Sequence, residues 1–471
     1  MATLLDKLLA KATAKDLVRA TSVITADTSF LRQFEDFDDF IFRGDKVDAR
    51  KAAAVEHHLR KARAALARTL WDQEVFLGID VIDHLLYDVY THASGDPVKQ
   101  FFEVVAAEGL HRPGFVLYPL HSFGVLGLGF FRFFQDAEFH LMLAEAGVAL
   151  TAQTNSAEAS LRFLNEARKS FGIRKRIPND TVEHFARSRS LKWLERNPLL
   201  AVKVRSFTGS YYENQFVYIL KLRMSTALIM MLSAMGKQYE RDDFLERSSS
   251  ARVNNRQTLD IRHYLVFETP PRKRRELLAY CIPMNVARLQ LTNLSDLSAD
   301  LDARAWRSKR AIKRLDGIRA ALRRIETGYL THVVIGTNQK VAQRVYRKLV
   351  DSIDYFRRAY SGGVKPSEAI VWLAVAFETL LTDHYAPQVN ARIERRVGMC
   401  LRGTVGVRKY TRAVAELFEH RGAIVHQGRA AVDLDLLMPR RAYILCLQHI
   451  ASLLDSLPRE SGSPIGDLLG D

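Results

Sequence analysis

Between Gln339 and Leu457 the chain divides into five helical segments with short breaks, a spacing that suits a small up-and-down bundle. KVAQRVYRKLVDSIDYFRRAY comes first and is ended by SGG. PSEAIVWLAVAFETLLTDHY opens with Pro366 near a helix N-terminus, where a missing N–H costs nothing, and carries a broad apolar stripe. VNARIERRVGMCLRG, VRKYTRAVAELFEHRGAIVHQG and LLMPRRAYILCLQHIASLL complete the set.

The preceding residues read differently. The first 240 are mainly helical, as in Val47–Trp71 and in Ser156–Gly172, which opens on an N-cap serine and stops at glycine. The glycines and aromatics of Gly114–Phe134 disfavour one long helix and predict buried extended or irregular structure. Thr258–Pro270 suits a strand, with Leu277–Leu291 pairing to it across PPRKRREL. Glu246–Gln257, rich in serine and asparagine, reads as a loop and a soft boundary. The expected fold is mainly α (α+β overall): a helical N-terminal region 1–245 with a small β component, a connecting region 246–335, a bundle 336–457 and a loose tail 458–471. Phe216–Met235 is the most apolar stretch. Lys221 and Arg223 interrupt it, leaving less than the roughly 18 residues a spanning helix needs, so a buried helix is expected. The amphipathic N-terminus has no apolar h-region, which argues against a secretory signal.

Charge points to an acidic partner. The net charge is +16 with a pI near 9.7, favouring nucleic acid first and an anionic membrane surface second. Leu301–Gly328 concentrates the excess, with nine basic residues against three acidic ones. Ala305, Ile312, Leu315, Ile318, Leu322 and Ile325 form its apolar stripe. Its cations, Arg307, Arg310, Lys313 and Arg314 among them, either cover the helix margins with their stems or contact RNA phosphates. The three cysteines, Cys281, Cys400 and Cys446, lack CxxC spacing, and a reducing cytoplasm is their natural setting. His57, His58, His121 and His140, even with Asp136 and Glu138 nearby, lack a third ligand at convincing spacing, so no metal is expected. No nucleotide-hydrolase or serine-hydrolase motif occurs, and no cofactor is implied.

HRGAIVHQG places Arg421 and His426 five positions apart near the end of a helical pattern. Histidine carries protons at neutral pH, and arginine offers phosphate a rigid fork of donors. The bland alternatives are a helix-terminal cation or a partner of Glu416 or Glu419 for Arg421, and a structural hydrogen bond closing the following loop for His426.

The succession WLAVAFETLL, a basic helix, LFEHRGAIVHQG and a terminal amphipathic helix resembles the HEPN superfamily, most of all its Apea-like branch, over roughly Lys340–Leu457. The resemblance implies a homodimer through the C-terminal bundle, with two Arg-x4-His motifs at the seam. In active members that composite site is a metal-independent endoribonuclease, leaving a 2′,3′-cyclic phosphate and a 5′-hydroxyl. Arg421 and His426 would be catalytic, with Glu378 orienting Arg421 across the bundle or facing solvent, and His420 approaching phosphate or lying on the surface. Active members often carry a polar residue after the arginine, where this chain has Gly422. Bacterial proteins with such a domain look like phage-defence or toxin components, implying RNA and a regulatory protein or phage-derived activator as partners, with no membrane. The rival is a non-catalytic HEPN module that dimerises or holds RNA. Either way Arg421 and His426 should lie close together where the loop before the last long helix begins, outside the apolar stripe.

Overall fold

Strand β1 (Gly114–Pro119) buries every one of its residues, and it divides them between two cores. Phe115 and Leu117 point to one side, Val116 and Tyr118 to the other. A strand covered on both faces shows no polar alternation, so its sequence is a continuous apolar run. The computed structural model describes residues 4–12, 15–22, 24, 28–73, 75–92, 95–107, 113–120, 123–126, 140–151, 156–204, 215–235, 263–270, 275–283, 299–302, 309–336, 339–360, 364–384, 387–428 and 434–471. The loop and boundary expected at 246–257, together with Arg307, His121, Asp136 and Glu138, lie outside them.

Around β1 the strands β2 (Phe123–Leu126), β3 (His140–Leu143), β4 (Val148–Thr151), β5 (Leu199–Val204), β6 (His263–Glu268), β7 (Leu278–Pro283) and β8 (Ala299–Asp302) follow in chain order. Six of them form an antiparallel sheet in the order β3-β4-β5-β1-β6-β7, while β2 and β8 pair in parallel. The expected pairing of two strands across PPRKRREL is β6 with β7, Tyr264 standing opposite Ile282. Extended structure expected from Gly114 onward is β1 and β2. Strands β3, β4 and β5 fall in a region read as mainly helical, and they give the sheet half of its width.

The helices, in chain order, are α1 (Leu4–Ala12), α2 (Lys15–Ser22), α3 (Thr28–Leu31), α4 (Phe37–Asp72), α5 (Ile79–His92), α6 (Pro97–Ala107), α7 (Ala157–Ser170), α8 (Thr181–Ala186), α9 (Gln215–Met235), α10 (Lys309–Tyr329), α11 (Lys340–Arg358), α12 (Pro366–Leu381), α13 (Val389–Cys400), α14 (Val407–Gln427), α15 (Leu437–Leu453) and α16 (Pro464–Leu469). The chain is thus mainly helical with a small antiparallel component, as its sequence predicts. Helix α7 starts as read: the Ser156 side chain accepts from the Ala159 N–H at 3.1 Å, an N-cap. Phe163 and Leu164 of α7, with Trp193 of the following 3-10 segment, cover the Phe115–Leu117 face of the sheet.

Helix α9 covers the other face and has no polar side of its own. Tyr218 meets Tyr264 of β6 edge to face, with ring centroids 6.0 Å apart. Its remaining sides pack on α10, α11 and α15, so it is buried between sheet and bundle. Among the described residues it is the one helix long and apolar enough to cross a membrane, and most of it is enclosed within the protein. One apolar core therefore runs without a break from Leu8 to Ile465, across both the 245/246 and 335/336 boundaries.

All five segments read from the C-terminal sequence are helices, α11 to α15. At their centre the Ser352 hydroxyl donates to the Ala376 carbonyl at 2.7 Å and lies 2.7 Å from the Tyr443 hydroxyl, while Phe356 stacks on Tyr443 at 4.6 Å. Residues 458–471, expected as a loose tail, are docked instead. Ile465 is buried, and the N–H groups of Ile465 and Gly466 donate to Asp383 at 2.8 and 3.1 Å. Buried Arg396 joins Asp383 at 3.2 Å to Asp471 at 2.6 Å, tying the end of α12, α13 and the segment after α16 together.

Candidate functional site around Arg421 and His426

Helix α14 carries the motif, and its periodicity decides where each member points. Val414, Leu417 and Phe418 form its buried stripe, and Arg421 is the next residue along it. The sequence predicts Arg421 outside the apolar pattern, and in the structure it closes that pattern instead. Its side chain is 27% exposed, and its Nε is buried without a hydrogen-bond partner among the described residues. Across the gap to α12, Glu378 Oε1 lies 3.4 Å from Arg421 Nη2. Of the two alternative partners, Glu416 is bound by Arg412 at 2.9 Å, and exposed Glu419 forms no ion pair with Arg421 among the described residues. Burial raises the Glu378 carboxyl above its ordinary value and the Arg421 charge opposes that rise. Of the two positions open to Glu378, the structure has the one that faces Arg421.

His426 stands on the other side. Five residues of α-helix turn through about 140° beyond a full circle and rise about 7.5 Å, so the two side chains of one copy leave the helix in different directions. His426 is exposed in the last turn, and no hydrogen bond to it exists among the described residues. The helix then ends on Gly428, whose φ of 61° is left-handed and whose N–H reaches back to the Ala423 carbonyl. That glycine, and not a histidine hydrogen bond, closes the turn. His420 is half-buried one position before Arg421.

Gly422 sits between them on a regular helical backbone, with no atom within 4 Å of where a Cβ would lie. Nothing steric demands glycine there. Gly422→Ala is expected to stabilise the protein by about 0.5–1 kcal/mol, because glycine gives up more backbone freedom in a helix than alanine. Urea titration checks it, and a destabilised variant would mean that the site uses this flexibility.

The basic helix α10 is largely committed inside the chain. Arg314 Nη1 donates to the Met235 carbonyl at the end of α9 at 2.8 Å. Arg319 pairs with Glu145 at 2.9 Å, and Arg324 with Asp455 at 2.8 Å while also bonding the Ala451 carbonyl. Of the four cations read as RNA-contacting, Lys313 is exposed and Arg314 is occupied, while the Arg310 side chain and all of Arg307 lie outside the described residues. The predicted stripe holds through Ile318, Leu322 and Ile325, but Ile312 is 49% exposed.

No family model, no curated protein and no solved structure matches the chain. The reading of the site therefore rests on its own geometry. That geometry offers an arginine braced by a carboxylate, a histidine open to solvent at the same helix end, and no grouping suited to a metal ion among the described residues. Sequence reasoning singled out all four of Arg421, His426, Glu378 and His420. It missed the docked C-terminal segment and a cleft along α10, whose walls come from distant parts of the chain.

Proposed function

We propose that this chain is a metal-independent endoribonuclease acting as a homodimer through its C-terminal bundle, at a composite site built from Arg421 and His426 of both copies. In the reaction the ribose 2′-oxygen bonds to phosphorus as the bond to the 5′-oxygen breaks. One His426 takes the 2′-proton, and the same residue of the second copy delivers a proton to the departing 5′-oxygen. Arg421 stabilises the charge that gathers on the phosphoryl oxygens. The observation that carries the reading is the fixed, Glu378-braced Arg421 with His426 unencumbered on the same helix end. Because one copy aims the two side chains apart, the chemistry calls for two. Val425, 50% exposed, and the open space over Gly422 leave an apolar, low-relief face beside the motif for a second copy. Cytoplasmic residence, a defence or toxin role and control by a regulatory or phage-derived partner belong to the same proposal.

A second reading draws on the same ion pair. Arg421 engaged by Glu378 within its own chain suits a non-catalytic module that dimerises or holds RNA. Purified protein incubated with total RNA, with and without EDTA, separates the two. The nuclease reading expects a dimer by light scattering at micromolar concentration, and cuts unaffected by chelator that end in 2′,3′-cyclic phosphate and 5′-hydroxyl. A strict monomer with and without RNA removes the composite site. A dimer that binds RNA without cutting it, even with phage-infected lysate added, establishes the second reading.

A further inference from the structure

A cleft of about 830 Å³ runs along α10 on elements that carry neither Arg421 nor His426. Its near wall is the C-terminal end of α4, and its far wall is formed by α11, α15 and the π-helical turn Leu330–Val334 that continues α10. Such a volume suits a small molecule, since ligand pockets commonly enclose about 300–1,000 Å³. Three features of the lining restrict which one.

The first is charge. Arg68 on α4 and Arg323 on α10 both flank the cleft, and neither forms an ion pair among the described residues. Each bonds only a main-chain carbonyl, Arg68 that of Ala64 and Arg323 that of Asp72, both at 3.3 Å. A guanidinium has five N–H donors, so most of their capacity is unused. Two acids share the lining: Asp455 is taken up by Arg324 at 2.8 Å, and Asp72 stands beside the two arginines, its carboxyl raised by burial and lowered in part by their charges.

The second feature is a stacked aromatic pair, of which His332 is the more exposed member and Tyr346 is buried behind it. The His332 and Tyr346 rings lie parallel, 5.2 Å between centroids and 9° between planes. Burial and the nearby Arg68 charge both lower the His332 value, disfavouring the charged imidazolium. The third feature is the floor. Gly317, Ala320 and Ala321 have almost no side chain, and a Cβ on Gly328 would overlap the Tyr346 ring, so these positions keep the cleft open and the ring seated.

We infer that the cleft binds a nucleotide, its phosphates on Arg68 and Arg323 and its base beside the His332 ring that stacks on Tyr346, with Thr327 and Gln448 near it for hydrogen bonding. An anion alone would use the arginines and leave the aromatic pair at the cleft unexplained. An apolar ring alone would leave two unpaired guanidinium groups facing it. Because α4 belongs to the N-terminal helices, α10 to the connecting region and α11 and α15 to the bundle, a bound nucleotide touches all three at once. The inference is independent of RNA cleavage at Arg421 and His426.

Isothermal titration of the full chain tests it, with ATP, GTP, CTP, UTP, AMP and inorganic phosphate as separate probes at physiological salt. At least one nucleotide is expected to bind at one site per chain. Arg68→Ala and Arg323→Ala should each weaken it about tenfold or more, the scale of a lost charge-assisted hydrogen bond. Ala320→Trp, at an exposed helix position lining the cleft, should block it while leaving the charges in place. Thermal unfolding without ligand shows that each variant folds, and the two arginine variants carry the test should the tryptophan variant not. No nucleotide binding overturns the inference. So does phosphate binding as tightly as the nucleotides, or nucleotide affinity that is unchanged in the folded variants.

Discussion

In the His426→Ala variant, RNA cleavage is expected to fall about 100-fold or more, the usual scale for a lost acid–base group, with the fold unaffected. Folding should survive because the His426 side chain is exposed and bonded to nothing among the described residues. Arginine needs a different substitution. Arg421 closes the buried stripe of α14 and faces Glu378, so alanine would strand a half-buried carboxylate and confuse loss of structure with loss of chemistry. Arg421→Lys keeps the charge opposite Glu378 and removes the planar fork that holds two phosphoryl oxygens. A loss of about 100-fold is expected there too, on the scale of a lost charge-stabilising donor. Circular dichroism and gel filtration check the folds, and RNA end sequencing checks the cuts. Cleavage that continues unchanged in the double variant Arg421→Lys/His426→Ala would remove the assignment.

Arg396→Ala is expected to cost about 3–5 kcal/mol of stability in the C-terminal bundle, the largest loss anticipated for any single change here. Arg396 is buried and donates to the Leu381 carbonyl at 2.6 Å as well as serving Asp383 and Asp471, whose side chains are only 3% and 7% exposed. Removing it leaves two enclosed carboxylates facing one another's field with Arg395 alone, from outside, on Asp471. Guanidinium unfolding followed by fluorescence measures the cost, and a loss below about 1 kcal/mol would show that the tail is not held by this cluster. The cluster also predicts a pH dependence. The Arg395 hydrogen bond, with further help from Arg396, holds the Asp471 carboxyl below the ordinary value of 3.8. Its folded value is thus lower than its unfolded one, so its contribution is complete above the unfolded value and is lost as pH falls through the folded value. Acid should release the C-terminal segment before it unfolds the bundle, and hydrogen exchange at Ile465 and Gly466 reports that release.

The parts legible in the sequence are those where one face of an element is apolar and the other is wet. Helices α11 and α14 show such stripes, and β6 and β7 stand out by their aromatic and branched residues around a polar turn. Strand β5, LLAVKV, is not legible, since it is covered on both faces and its apolar run fits a buried helix as well as a strand. The docked tail escapes a local reading because SGSPIGDLLG has the composition of a loop, whereas its anchor, Arg396, lies far upstream. A local sign exists all the same: Pro464 just inside the start of a helix and Gly470 just past its end mark α16. At the candidate site, spacing reveals the motif but not its orientation. That Arg421 faces inward and His426 outward follows from where the stripe of α14 falls, and that Arg314 is engaged follows from where α9 ends.

The burial of α9 between sheet and bundle bears on how this protein can be made and divided. A fragment beginning at residue 336 would contain every helix of the recognisable C-terminal set yet lack both α9 and α10, the two that plug its inner surface. Such a fragment would expose the apolar surface of α11 and α15 that α9 and α10 cover, and aggregation is the expected fate of a surface of that kind. During synthesis the same dependence runs the other way, because α9 leaves the ribosome long before α11 and α15 exist to enclose it. It must wait against the sheet, half covered, until the last third of the chain arrives. The bundle is therefore not a portable cassette, and grafting it elsewhere would require carrying its central helix along.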